Sequence, residues 1–214
     1  MVDVGCGPGN LTVSLSSRWP SAVVEAFDSS PEMVEAARAA GVDARVDDVT
    51  TWEPLPDTDV VVSNAVLQWV ASHPSIVSKW VEALPGGAWL AFQVPGNYAD
   101  PSHRLIREVA GESLAHVFRA EKPVLAPVEY ADLLGDCAVA DVWETTYVQR
   151  LAGPDPVLEW VTGTALRPVR AALSSTDWEA YVAELAPRLR EAYPQRADGT
   201  TWFPFRRIFA VAQV

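Results

Sequence analysis

The chain opens on Val2-Asp3-Val4-Gly5-Cys6-Gly7-Pro8-Gly9-Asn10, a short apolar run that breaks into three alternate glycines. Leu11, Leu15 and Trp19 then recur at helical spacing, and Pro20 ends that helix. A strand that turns at once into a helix needs residues without a Cβ, to reach left-handed angles and to let a ligand approach the main chain. This stretch confines the chain to an α/β fold whose first strand is central and carries a nucleotide-type loop at its carboxyl end.

The alternation continues through the first half. Strands are expected at Val2–Val4, Ala22–Phe27, Ala44–Val46, Asp59–Ser63 and Ala88–Val94, with amphipathic segments between them. Ser29-Ser30-Pro31-Glu32 starts the second helix with a serine cap, a proline in the first turn and a glutamate placed for a capping box; Gly41 ends it. Helices also fit Pro74–Leu84 and Pro101–Val117, and Val139–Gln149 has strand character. Pro154–Tyr193 reads as helical, with breaks near Gly163, Pro168 and Ser174, before a final strand at Thr201–Val214.

The expected architecture is a doubly wound, Rossmann-like, mostly parallel seven-stranded sheet with an antiparallel last strand. One domain spans residues 1–214, and a helical insertion at 150–199 is placed to lid the carboxyl edge of the strands. The central strand begins at the second residue, so the sequence reads as lacking the N-terminal cover that would complete such a domain.

A net charge of -12 argues against nucleic acid or anionic membrane as partner. Cys6 and Cys137 form no metal or disulfide pattern, which suits a reducing cytosol, and His73, His103 and His116 form no ligand set. No run is apolar enough for a membrane span or signal peptide, so the expected setting is cytoplasmic. No metal site is expected.

The glycine spacing is G-x-G-x-G, which departs from the dinucleotide fingerprint G-x-G-x-x-G, and no Gly-Lys-Ser/Thr comes after it as in a P-loop. Asp28 follows the second strand, about 20 residues beyond the glycines, where a carboxylate can accept from both ribose hydroxyls and repels a 2′-phosphate. The form Asp3-x-Gly5-x-Gly7-x-Gly9 resembles the first motif of class I S-adenosylmethionine-dependent methyltransferases, and Asp47-Asp48-Val49 resembles their acidic adenine motif. That resemblance implies S-adenosyl-L-methionine as cofactor. Its expected binding set is Asp3, Gly5, Gly7, Gly9, Asn10, Asp28, Ser29, Met33, Asp47, Asp48, Val49, Asn64 and Ala65.

Later segments narrow the resemblance. Asn64-Ala65-Val66-Leu67-Gln68-Trp69, Gln93-Val94-Pro95-Gly96-Asn97, Trp143-Glu144-Thr145-Thr146-Tyr147 and Phe203-Pro204-Phe205-Arg206-Arg207-Ile208-Phe209 are similar to the trans-aconitate methyltransferase family. The family implies methyl transfer to a carboxylate of a small polycarboxylate. A carboxylate is already ionised at neutral pH, so no catalytic base is expected.

A polycarboxylate needs cations, and arginine pairs carboxylates bidentately while staying charged. The candidates are Arg167 in the insertion and Arg206 or Arg207, which face opposite ways on a strand; the resemblance favours Arg207. Trp69, Tyr147, Trp160 and Tyr193 are expected to wall the acceptor site, with Asn97 donating to a carboxylate. His103 is expected to be exposed in the first turn of a helix and Cys6 to fill the loop. Two other readings are compatible with these residues: a methyltransferase for another small metabolite, and a cofactor-binding module without turnover.

Overall fold

The computed structural model describes residues 1–118 and 124–214. The chain divides into two compact units. Unit 1 comprises Met1–Val94, Val124–Glu144 and Ile208–Val214; unit 2 comprises Pro95–Pro123 and Thr145–Arg207.

In chain order the elements are β1 (Val2–Val4), α1 (Asn10–Arg18), β2 (Glu25–Asp28), α2 (Pro31–Ala39), β3 (Ala44–Val46), β4 (Val60–Asn64), α3 (His73–Ala83), β5 (Trp89–Pro95) and α4 (Pro101–Ala110). They continue with α5 (Pro127–Leu133), β6 (Val139–Ala152), α6 (Pro156–Thr162), α7 (Arg167–Ala172), α8 (Ser175–Ala192) and β7 (Thr200–Gln213). Short 3-10 turns lie at Leu67–Trp69 and Glu112–Val117.

The seven strands form one sheet in the order β3-β2-β1-β4-β5-β7-β6. β1 is central and pairs in parallel with β2 and β4, aligning Val4 with Phe27 and Ser63. β7 runs antiparallel to β5: Val214 N–H donates to Ala88 O, and Gly87 N–H donates back to Val214 O. The order reverses beside β1, so the carboxyl ends of β1, β2 and β4 bound the crevice in which folds of this kind hold ligands.

Unit 1 buries Val4, Phe27, Val61, Leu90 and Ile208 under α3 and α5. Trp80 of α3 is fully buried, meets Trp52 edge-on at 5.4 Å and donates its indole N–H to Trp52 O at 3.3 Å. Unit 2 has a core of its own, in which α4 and α8 pack through Ile106, Tyr181, Leu185 and Leu189. The Tyr181 hydroxyl donates to Ile106 O at 2.8 Å, so this buried phenol is satisfied.

Several boundaries differ from the sequence reading for identifiable reasons. Ala22 N–H closes a turn onto Trp19 O, which delays β2 to Glu25. The helix expected through Val117 stops at Ala110, because Gly111 adopts φ 56 and ψ -163 and hands the chain to a 3-10 turn. Pro168 breaks nothing; it sits in the first turn of α7, where a proline costs no hydrogen bond. The cap of α2 is Ser30, whose side chain accepts from Met33 N–H, so Glu32 lies one place short of a capping box. Helix α5 was not anticipated, since seven residues carry too little periodicity; Glu129 supports it by accepting from Ala126 N–H at 2.6 Å. Among the described residues no helix is long and apolar enough to cross a membrane.

Candidate functional site

The glycine loop sits at the carboxyl end of β1. Gly5 and Cys6 both donate their N–H groups to Phe27 O at 2.9 Å, which fastens the loop to β2. A Cβ on Gly5 would collide with the Val66 side chain, and one on Gly9 would lie 2.9 Å from Val42 Cγ2 and 3.2 Å from Ala37 Cβ. Both glycines also hold left-handed angles, φ 73 and φ 84. The outer glycines are thus fixed by close packing and backbone angle together. Gly9 serves the close approach to α2 that the third glycine serves in a dinucleotide loop, although its spacing differs.

Asp28 organises the loop. One carboxylate oxygen accepts from Gly7 N–H and the other from Ser30 N–H, each at 2.9 Å. The aspartate so clasps the glycine loop to the start of α2, and each oxygen keeps a further lone pair for a hydroxyl. Ser29 is exposed beside it, Met33 is half-buried on the first turn of α2, and Asn10 is exposed as the first residue of α1.

Asp3 is 1% exposed and accepts from the Thr12 hydroxyl at 2.6 Å. Burial pushes its carboxyl above the ordinary range, and the charge of Asp28 adds to the rise while the Thr12 bond opposes it. The Cys6 thiol, desolvated beside the same two aspartates, is pushed up to about 11, as befits an inert loop filler.

After β3 the two neighbouring aspartates divide their duties. Asp47 accepts from Arg45 Nε at 3.3 Å and from Asp48 N–H at 2.8 Å, so both of its oxygens have partners in the chain. Asp48 is exposed, and one oxygen closes a turn by accepting from Thr50 N–H and Thr50 Oγ1, which hold its carboxyl below the usual range. Its other oxygen has no hydrogen-bond partner among the described residues. Val49 is buried and anchors the turn in the core.

At the end of β4, Asn64 is exposed and Ala65 takes φ 59, the one non-glycine residue with positive φ among the described residues. Ala65 N–H donates to Gln93 O at 2.9 Å, and Gln68 Nε2 donates to Ala65 O at 2.7 Å. Trp69 comes next, 46% exposed. The far end of this turn is tied down by His73, which is buried: its Nδ1–H donates to Val70 O at 3.0 Å and its Nε2 accepts from the Tyr130 hydroxyl at 2.9 Å. The tautomer is set by Val70 O, which can only accept.

Unit 2 holds the remaining expected residues. On β7, Phe203, Phe205 and Arg207 share a face: Arg207 lies 5.1 Å over the Phe205 ring, and Trp160 packs against Phe203 and Phe205 at 5.8 and 5.9 Å. Tyr193 meets Phe203 at 5.3 Å, and its hydroxyl accepts from Ser102 N–H at 3.0 Å in the first turn of α4. Arg207, Trp160 and Tyr193 are therefore gathered around one aromatic cluster. Arg206 belongs to the opposite face, near Asp100, whose carboxyl burial raises and Arg206 draws back. Asn97 is buried after β5.

Two expected residues stand apart from that cluster. Tyr147 is 43% exposed on β6, and Arg167 is exposed at the start of α7. His103, expected to be exposed, is half-buried with Nδ1 3.2 Å from Ser102 Oγ. Burial and the neighbouring Arg107 push it down to about 4, so it is neutral at physiological pH. Among the described residues no His, Cys, Asp and Glu group could hold a metal ion.

Sequence reasoning missed Thr12, Gln68 and the His73–Tyr130 pair. Gln68 had a signal, as a lone amide inside the apolar run Val66-Leu67-Gln68-Trp69-Val70. The other partners lie nine and 57 positions apart, beyond any local pattern.

A family model described as a methyltransferase domain matches residues 1–124. The trans-aconitate 2-methyltransferase of Rhodococcus jostii (strain RHA1) is 62% identical, covering 100% of this chain and 87% of that protein. That of Mycolicibacterium gilvum (strain PYR-GCK) is 60% identical with the same coverage. Phosphoethanolamine N-methyltransferase 2 of Haemonchus contortus, solved in complex with S-adenosyl-L-methionine, shares the fold at TM-score 0.57 and 17% identity, over 100% of this chain and 48% of that one.

Proposed function

The chain belongs to the trans-aconitate 2-methyltransferases, and from that premise we propose that it moves a methyl group onto a carboxylate oxygen of trans-aconitate, yielding the monomethyl ester and S-adenosylhomocysteine. S-adenosylmethionine is the cofactor, and when bound it supplies an electrophilic methyl carbon on a sulfonium. The observation that carries this reading is the Asp28 clasp, with both oxygens on main-chain N–H groups and lone pairs left over for a ribose. Asp48 offers its second oxygen to the adenine amino group, and Asn64 and Ala65 line the end of β4.

The reaction asks little proton chemistry of the chain. The acceptor oxygen is ionised at neutral pH, so no residue has to remove a proton. What the chain must do is hold that oxygen, exclude water and neutralise the remaining carboxylates. Arg207 is the first candidate for the last task, since its guanidinium lies over the Phe205 ring, which shields one face of it from water. Arg167, Arg206 and Asn97 can supply further donors, and Trp69, Tyr147, Trp160 and Tyr193 are the wall candidates. The two free cysteines fit a cytosolic setting.

Transfer of tritiated methyl to trans-aconitate tests the reading: the expected product carries base-labile label. Arg207→Gln should raise KM for the tricarboxylate roughly tenfold or more while changing kcat less, because a charge-assisted bidentate pair is lost. Failure to label any di- or tricarboxylate would remove the acceptor assignment.

A further inference from the structure

Gln68 carries a polar atom that the fold leaves unfinished. Its Nε2 donates to Ala65 O at 2.7 Å, and its Oε1 is buried with no hydrogen-bond partner among the described residues. The orientation of the amide is not arbitrary, because Ala65 O accepts only and so must face the NH2 end. A buried acceptor left without a donor is costly, and such atoms in native proteins usually await a ligand or water.

The position of this atom points to a ligand. Ala65 is the residue with positive φ at the carboxyl end of β4, and its neighbour Val66 presses against Gly5 of the cofactor loop. Backbone strain held by surrounding bonds is characteristic of functional turns. The buried Ser63 hydroxyl, one residue before Asn64, also lacks a partner among the described residues. Two orphaned polar atoms thus flank the same turn.

We infer that Gln68 Oε1 accepts a hydrogen bond from the α-ammonium group of the bound cofactor, an inference that rests on the cofactor reading above. Trans-aconitate with ionised carboxylates brings no donor, so the partner must come from the cofactor or from water. The ribose hydroxyls are read to Asp28 and the adenine amine to Asp48, which leaves the ammonium as the cofactor's remaining donor.

Two ligands separate a binding role from a structural one. S-adenosylhomocysteine carries the ammonium, and 5′-methylthioadenosine lacks the whole amino-acid group. In calorimetric titrations, Gln68→Leu should lose about tenfold or more in affinity for the first ligand and change little for the second. Equal losses for both would overturn the proposal, because relaxation of the Ala65 turn acts on either ligand alike. Should the leucine variant not fold, the side-chain amide resonance of Gln68 in the unaltered protein gives the same decision. A shift with S-adenosylhomocysteine and none with 5′-methylthioadenosine supports the proposal, whereas no shift with the first overturns it. If the unaltered protein binds neither ligand, the cofactor reading itself fails and this proposal with it.

Discussion

Asp3 shows what single residues contribute here. Its carboxyl is buried, bonded to Thr12 and raised above its unfolded value of 3.8 by desolvation and by Asp28. The fold therefore favours the neutral form. Ionisation carries a penalty that is absent below the unfolded value and complete once the pH exceeds the folded one. Asp3→Asn keeps an acceptor for the Thr12 hydroxyl and removes the charge, so thermal melts should show a higher midpoint at pH 7 and little change near pH 4. A lower midpoint at pH 7 would contradict the argument. The motif announced Asp3 in the sequence, but its burial depends on Thr12 and α1, and no spacing rule encodes that.

At the scale of elements, the chain was legible wherever local chemistry decided the outcome. β1 and β3 match their expected bounds because each three-residue strand is closed at once by a glycine loop or an acidic pair. The helix after β5 was misread because its periodicity runs on past Gly111, whereas backbone angle ends it. Among the described residues beyond its chain neighbours, no heavy atom lies within 4 Å of a Cβ placed on Gly111, so the cost of a side chain there is conformational. Gly111→Ala should destabilise the protein by about 1–3 kcal/mol, read as a lower denaturant midpoint at unchanged m-value. An unchanged midpoint would mean that α4 simply extends through the 3-10 turn. Most of the residues proposed for the cofactor could be picked out for a related reason: they lie at or near the carboxyl ends of β1 to β4, and strand ends are set by local pattern. The acceptor residues were harder to place. Arg207 and Trp160 come together only through the β7 face, while Tyr147 and Arg167 stand outside that cluster.

For the whole molecule, the net charge of -12 conceals an uneven distribution. Unit 1 carries 17 of the 28 acidic residues but only Arg18, Arg38, Arg45 and Lys79 among the 16 basic ones. Unit 2 holds the other 11 acids with 12 bases and is close to neutral. The acidic unit contains every residue assigned to the cationic cofactor, and the balanced unit contains all the candidate arginines. Composition alone gave one repulsive total, because the division depends on which segments fold together. Each unit also has its own buried core, so a ligand held by unit 1 should protect unit 1 first. Hydrogen exchange with S-adenosylhomocysteine should slow in β1, β2 and β4 by a larger factor than in α6 to α8. Equal protection of both would show that the units open together.

Ala65 sets a limit on how this protein can be improved. Its φ of 59 suits glycine, and glycine there would relax the backbone at once. The alanine methyl instead stiffens the turn that Gln68 and His73 hold from either side. Substitutions chosen for thermal robustness would be drawn to this position, and the looser turn they produce would surrender preorganisation next to the cofactor loop. Robustness and turnover are thus set against each other at one methyl group, which makes Ala65 a position that optimisation for stability alone would choose wrongly.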